Sequence, residues 1–359
     1  MKIYLQYPWK FFPDSPYYKY LIQNPPKNIE YLNVEKQKGV ITKSKKLSTS
    51  HKLKINIRRL IDWSRLPLIN AHFTRSEEDY DLIHCAHCLS KNKEPWVADF
   101  EGTWQFYLGN ENPSANKRIR KILLRDNCKK ILAWTEQVKE EILKRFPEIN
   151  DKIEVIYPAI PISKVKKKKH NKINLLFVGR YFYRKGGLHA LEAIDRLTKK
   201  YENVRGIIVS EVPKEIKEKY SNLKIKFYNL MSQEELFKIC AISDIFIYPG
   251  YTDSLGFSIL ESMSFGIPVI SVKGFARKEL IEDGRTGFVI DLGREIKKRE
   301  GDEHKEDIVR KLVKKTGQLI RDKRLRDKMS KNCIELIKNG KFSIKERNKK
   351  LEEIYKNAI

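Results

Sequence analysis

Asp253 and Glu261 stand with seven residues between them in a chain of 359. An apolar run, Ile-Phe-Ile-Tyr at 245–248, reads as a strand that enters a loop with Pro249, Gly250 and Thr252. Gly266 and Pro268 end the helix that this loop opens, since glycine closes a helix and proline blocks its continuation. Asp253 then lies in the loop, and Glu261 lies in the second turn of a helix of about ten residues. Between them the N–H groups of Gly256, Phe257 and Ser258 have no acceptor inside the helix. Those donors, with the positive end of the helix dipole, suit an anion such as a diphosphate. Gly256 lets a bulky ligand approach the main chain. Glu261 can accept two hydroxyls, as a ribose would offer, and Asp253 can reach the next group along. Taken alone, the same residues also describe an ordinary capped helix start with a solvated glutamate.

A second set lies upstream. Residues 173–180, Ile-Asn-Leu-Leu-Phe-Val-Gly-Arg, form a buried-type strand that ends on Gly179 and Arg180. Lys185 and two glycines follow, then a helix with Leu188, Leu191, Ala193, Ile194 and Leu197 on one face. Arg180 and Lys185 therefore leave the carboxyl end of one strand, toward the crevice that the 253–266 helix also faces. Two cations and a helix N-terminus around one crevice make a diphosphate site.

In this order and spacing, 175–290 resembles the retaining family-four glycosyltransferases, the glycosyl transferases group 1. The shared pattern is Gly179-Arg180, Lys185-Gly186, the paired acidic residues 253 and 261, Gly266-Ile-Pro-Val269, and Glu279 through Gly284 to Gly287-Phe288. The family carries glutamate where Asp253 stands. The resemblance implies an α/β chain of the GT-B fold: two Rossmann-like doubly wound domains facing across a cleft, with a C-terminal helix crossing back to the first. It also implies that Glu101, at the exit of a strand over 96–100, takes the place where relatives often carry a histidine over the donor sugar. Asp99 lies close by, and His84 and His87, which end the preceding strand, are alternatives for that place. Where relatives have a glycine-rich loop on the acceptor side, this chain has Trp9, Phe11, Phe12, Tyr17 and Tyr18. Those aromatics read equally as a hydrophobic plug and as a platform for a sugar or lipid acceptor.

The expectation is a retaining hexosyltransferase with a nucleotide-diphosphate sugar as donor substrate and a glycan or lipid-linked acceptor. Arg180 and Lys185, with the N–H groups of Gly256, Phe257 and Ser258, would stabilise the leaving diphosphate in place of a metal. Glu261 would bind the ribose, Asp253 the transferring sugar, and no separate cofactor is expected. Two other readings share the fold: a catalytically idle glycan- or lipid-binding protein, and a phosphorylase, which needs a cofactor lysine and a longer chain.

Lys and Arg number 73 against 46 Asp and Glu, a formal charge of +27. A lysine-rich background accounts for this first, attraction to anionic lipid headgroups second. Nucleic acid comes last and is not expected as a partner, because aromatics do not alternate with the basic residues as a stacking platform requires. No run approaches the ~18 apolar residues of a spanning helix, and the start does not read as a signal peptide. The expected location is cytoplasmic, extending to a peripheral place on the inner face of the membrane. Cysteines 85, 88, 128, 240 and 333 are too scattered for a disulfide framework. His84-Cys85-Ala86-His87-Cys88 lacks a second pair at zinc spacing and reads as a strand end. Asp79-Tyr-Asp81 precedes a strand and reads as a solvated turn, so no metal site is expected.

Helix and strand alternate along the chain, with a helix over 51–63 in the first part. The domains are read as 1–163 on the acceptor side, a basic linker over 164–172 with the lysine run 166–169, and a nucleotide-sugar-binding domain over 173–340. A final helix over 341–359 packs back on the first domain. Residues 294–307 are charged and without apolar periodicity, and read as a mobile loop.

Overall fold

The computed structural model describes residues 1–7, 15–34, 66–168, 170–221, 223–251, 255–293 and 305–359. Asp253, the trio Trp9, Phe11 and Phe12, and the helix expected over 51–63 lie outside the described residues. The chain divides into two compact units, Met1–Ala159 together with Ile344–Ile359, and Ile160–Ser343.

The first unit carries β1 (Lys2–Gln6), β2 (Glu30–Leu32), β3 (Ala71–His72), β4 (Leu82–Ala86), β5 (Leu89–Ser90), β6 (Trp96–Phe100), β7 (Cys128–Ala133) and β8 (Ile153–Val155). Six of them form one parallel sheet in the order β2-β1-β4-β6-β7-β8, while β3 pairs with β5 alone. Every residue of β4 and β6 is buried, as expected of parallel strands covered on both faces. Ile83, Trp96, Phe100, Ile131 and Phe146 lie in its core. The helix Pro16–Gln23 buries Tyr17 and Tyr18 completely. Those two aromatics are therefore plug, not platform.

The helix Ile344–Ala358 belongs to this unit although it comes last in the chain. Its Tyr355 hydroxyl lies 2.6 Å from His84 Nδ1 of β4 and 3.1 Å from the Tyr31 hydroxyl of β2. One turn from its start, buried Arg347 donates from Nη2 to the Asn24 carbonyl at 2.6 Å.

The second unit holds β9 (Ile173–Val178), β10 (Val204–Val209), β11 (Ile225–Tyr228), β12 (Ile245–Tyr248), β13 (Val269–Val272) and β14 (Gly287–Ile290). They form one parallel sheet in the order β11-β10-β9-β12-β13-β14. Taken from the first strand of the unit this is 3-2-1-4-5-6, the doubly wound Rossmann order, and its direction reverses between β9 and β12. The helix Gly187–Lys200 lays Ala190, Leu191, Ala193, Ile194 and Leu197 inward, the apolar stripe that its spacing gives.

Three expectations are corrected here. The helix after β12 runs Phe257–Ser264, eight residues, because left-handed Gly256 (φ 87°) caps its start and Gly266 (φ 67°) follows its end. The region 294–307 is not all loop: Lys305 starts the helix Lys305–Arg321, whose buried Ile308 and Leu312 supply the apolar spacing missing just before. Glu306 in its first turn receives Arg196 at 2.6 Å. His84 lies inside β4 and does not end it, since the strand continues to Ala86.

Replacing Tyr355 with Phe keeps the packing and removes one hydroxyl from a buried hydrogen-bonded trio. The expected loss is about 1–3 kcal/mol of stability, read as a lower urea midpoint; an unchanged midpoint would show the trio to be energetically idle.

Candidate functional site

The exits of β9 and β12 meet at the point where the sheet order reverses. β9 runs on into Gly179 and exposed Arg180, and the turn through Tyr181, Phe182, Tyr183 and Arg184 leads to half-buried Lys185. β12 runs on into Pro249 and Gly250. The Gly250 N–H donates to the Lys185 carbonyl at 3.1 Å, and the Tyr251 N–H to the Arg184 carbonyl at 3.3 Å. Gly186 (φ 71°) makes the approach feasible: a Cβ there would sit 2.6 Å from Cβ of Pro249. Arg180 and Lys185 thus share a loop that is hydrogen-bonded to the segment entering the Phe257–Ser264 helix.

Gly256, Phe257 and Ser258 are partly exposed at the start of that helix. Ser258 shares a side-chain hydrogen bond with Tyr248. Glu261, one turn further, is only 8% exposed. Its Oε1 accepts a hydrogen bond from Gln233 Nε2 at 2.7 Å. Burial, with the Glu261 charge adding to it, pushes the Cys240 thiol up to about 12.

Arg277 is a member of this site that its sequence context hides, for Arg277-Lys278-Glu279 reads as a surface turn. Its guanidinium is fully buried. Nη2 donates to the Gly250 carbonyl at 3.1 Å and Nη1 to the Leu255 carbonyl at 3.2 Å, with the Tyr248 ring centred 5.5 Å away. One cation therefore ties both flanks of the segment that contains Asp253. Burial lowers its pKa, and the neighbouring Tyr248 opposes that. A fixed positive group behind a helix N-terminus strengthens its pull on an anion.

In the first unit Glu101 leaves β6 half-exposed, its N–H donating to Gln105 Oε1 at 2.8 Å. The neighbouring acidic residue has a different part. Asp99 is fully buried, 3.1 Å from His84 Nε2 and 3.2 Å from His87 Nδ1, and it accepts from the Tyr18 hydroxyl. His87 follows β4 at φ 57° with its ring against Tyr18 and Trp134. His84, His87 and Asp99 are thus turned toward one another. Cys85 and Cys88 are buried beside them, and Asp81 accepts the Lys2 N–H at 2.8 Å. Among the described residues no group of three or more His, Cys, Asp or Glu is arranged to hold a metal ion.

Two Rossmann-like parallel-sheet units, with the last helix in the first of them, define the GT-B class. Residues 160–300 match the sequence family of glycosyl transferases group 1, and the resemblance read from Gly179-Arg180, Lys185 and Glu261 holds. An uncharacterised glycosyltransferase of Methanocaldococcus jannaschii is 29% identical over 67% of this chain and 62% of its own length. The alignments to the first three curated relatives span 42% to 62% of those proteins. Among solved structures, a glycosyltransferase from Rickettsia africae superposes with a TM-score of 0.66 at 17% identity, covering 99% of this chain and 98% of that one. The Anabaena protein HepE, solved with UDP, superposes with a TM-score of 0.63 at 15% identity, covering 98% and 99%.

The Asp99 cluster predicts a pH profile for the first unit. Burial alone would raise the Asp99 carboxyl, but His87 and His84 outweigh it and hold it well below the usual range. Burial disfavours charge on His87, and Asp99 outweighs that, leaving the His87 pKa raised. The carboxylate contribution is present above the unfolded Asp value and lost as pH falls through the folded one. The imidazolium contribution is present below the unfolded His value and lost as pH rises through the folded one. Both are complete from roughly pH 4 to 6.5. Asp99→Asn should cost about 3–5 kcal/mol at pH 5.5, the scale for breaking a buried pair, and should flatten both limbs. Urea midpoints from pH 3 to 9 test this, and an Asn variant with wild-type limbs would remove the pair from the account.

Proposed function

We propose that this protein is a retaining glycosyltransferase that moves a hexose from a nucleotide-diphosphate sugar to a glycan or lipid-linked acceptor. The observation that carries the reading is the Gly250 N–H to Lys185 carbonyl bond at the reversal of the sheet order. It joins the basic turn to the loop that enters the Phe257–Ser264 helix. Arg180, Lys185 and the N–H groups of Gly256, Phe257 and Ser258 would hold the diphosphate. As the bond from the sugar C1 to the diphosphate oxygen breaks and the acceptor oxygen bonds to C1, charge develops on the leaving group. The acceptor proton passes to that leaving oxygen. Preorganised donors aimed at such charge are the largest single contribution an active site makes. Glu261 takes the ribose, Asp253 hydroxyls of the transferring sugar, and Glu101 the sugar side of the first unit.

The HepE structure with UDP makes a uridine diphosphate sugar the first donor to try. A lipid-linked acceptor would be met at an anionic membrane surface, and the formal +27 charge suits one. No helix among the described residues is long and apolar enough to cross a membrane. The proposed place of work is peripheral, on the cytoplasmic face, where anionic headgroups would meet the basic chain.

Thermal-shift titration with UDP-, GDP- and ADP-sugars is the first test. A donor at 100 times its Kd adds about 2.7 kcal/mol to stability. Binding followed by sugar transfer supports the reading; binding with no transfer to any acceptor leaves the idle binding protein.

Lys185→Ala and Arg180→Ala should each cost roughly 2–4 kcal/mol in kcat/KM while the melting temperature barely moves. Unchanged turnover in either would remove that residue from the diphosphate site. Activity should also survive EDTA, because the charge compensation comes from the protein. Loss with chelator and recovery with Mn²⁺ would return carboxylates, Asp79 among them, to the list of ligands.

A further inference from the structure

Glu261 meets its partner from a different βα unit. Gln233, whose Nε2 donates to Glu261 Oε1 at 2.7 Å, is the first residue of the helix Gln233–Cys240. That helix start is fixed by a reciprocal cap: the Ser232 hydroxyl accepts the Glu235 N–H at 3.3 Å, and the Glu235 carboxylate accepts the Ser232 N–H at 2.9 Å. Residues 229–232, which lead to it, leave the carboxyl end of β11, the edge at which such sheets bind ligands. Gln233 is half-buried and Glu261 nearly fully buried.

The amide has a specific consequence for the carboxylate. A carboxylate offers about four lone-pair sites on two oxygens, and one that rotates freely takes a single hydroxyl in many orientations. A neighbouring pair of hydroxyls needs its plane fixed. A neutral amide fixes the plane and leaves the negative charge in place. We infer that Gln233 is a positioning residue that holds Glu261 in the orientation a cis-diol requires, so that it sets the preference for ribose over 2′-deoxyribose in the donor nucleotide. The inference rests on the reading of Glu261 as the ribose ligand.

Calorimetry on the full chain tests it, using UDP, GDP and ADP and the 2′-deoxy form of each. The wild type should prefer the ribonucleotide by about ten- to a hundredfold, the worth of a hydrogen bond to a charged group. Gln233→Leu should bring that ratio to about threefold or less by weakening the ribonucleotide alone, with 2′-deoxynucleotide affinity kept and the chain still folded at the assay temperature. Gln233→Glu places a second carboxylate against the first. Its ribonucleotide binding should fall at pH 8 and recover toward pH 5, as one of the two takes up a proton, a recovery that Gln233→Leu should lack. This pH signature reads the contact even where one variant folds poorly.

A Gln233→Leu ratio equal to wild type while Glu261→Ala loses the preference would overturn the role of Gln233 and leave Glu261 as ribose ligand. Equal weakening of both nucleotide forms in Gln233→Leu would make Gln233 structural only. A wild-type preference that persists in Glu261→Ala would overturn the ribose reading itself, as would a wild type that binds none of the probes or shows no preference.

Discussion

The main-chain bond from Gly250 to Lys185 is the constraint on which the candidate site of the second unit rests. Arg180 and Lys185 stand on one turn, and the tie fixes that turn against the exit of β12. The tie uses the carbonyl of Lys185, so it is a bond of the main chain and does not depend on the side chain. Strand adjacency makes the tie feasible, for β9 and β12 are neighbours only in a sheet whose order reverses there. Arg277 works on the same loop from behind, bridging the Gly250 and Leu255 carbonyls.

The first unit solves a different electrostatic problem. Asp99 lies within a strand whose every residue is buried, where an isolated carboxylate would be expelled or protonated. Two histidines, a tyrosine hydroxyl and a backbone N–H surround it. The cluster continues through His84 to Tyr355 and Tyr31, reaching from the sheet interior to its edge strand and to the last helix. Such a network is stable only when all its members are satisfied, so it fixes how that helix lies on that sheet.

What the sequence shows and what it hides follow from the range of the interactions. β9, β10 and β12 are short, mostly apolar runs closed by glycine, serine or proline, and a local pattern suffices to read them. Gly179, Arg180, Lys185 and Glu261 are legible because their spacing is local to two βα units. Gln233 pairs with Glu261 across 28 positions, and nothing near either residue announces it. His84 and Tyr355 are 271 positions apart, and a histidine at a strand's end and one inside it look alike until the partner is known. Tyr17 and Tyr18 follow a stretch rich in aromatics, where composition cannot separate a plug from a platform. Their burial against Asp99 and Trp134 does.

The first unit is discontinuous, and this bears on the order of synthesis. Residues 1–159 leave the ribosome before the second unit, yet His84, Tyr31 and the Asn24 carbonyl await partners numbered 347 and 355. The second unit is one contiguous stretch, and the last of its strands among the described residues is complete once Ile290 is made. It can fold during translation, as domains generally do. The earlier-made unit is therefore completed last, with polar groups of its core kept waiting through most of translation.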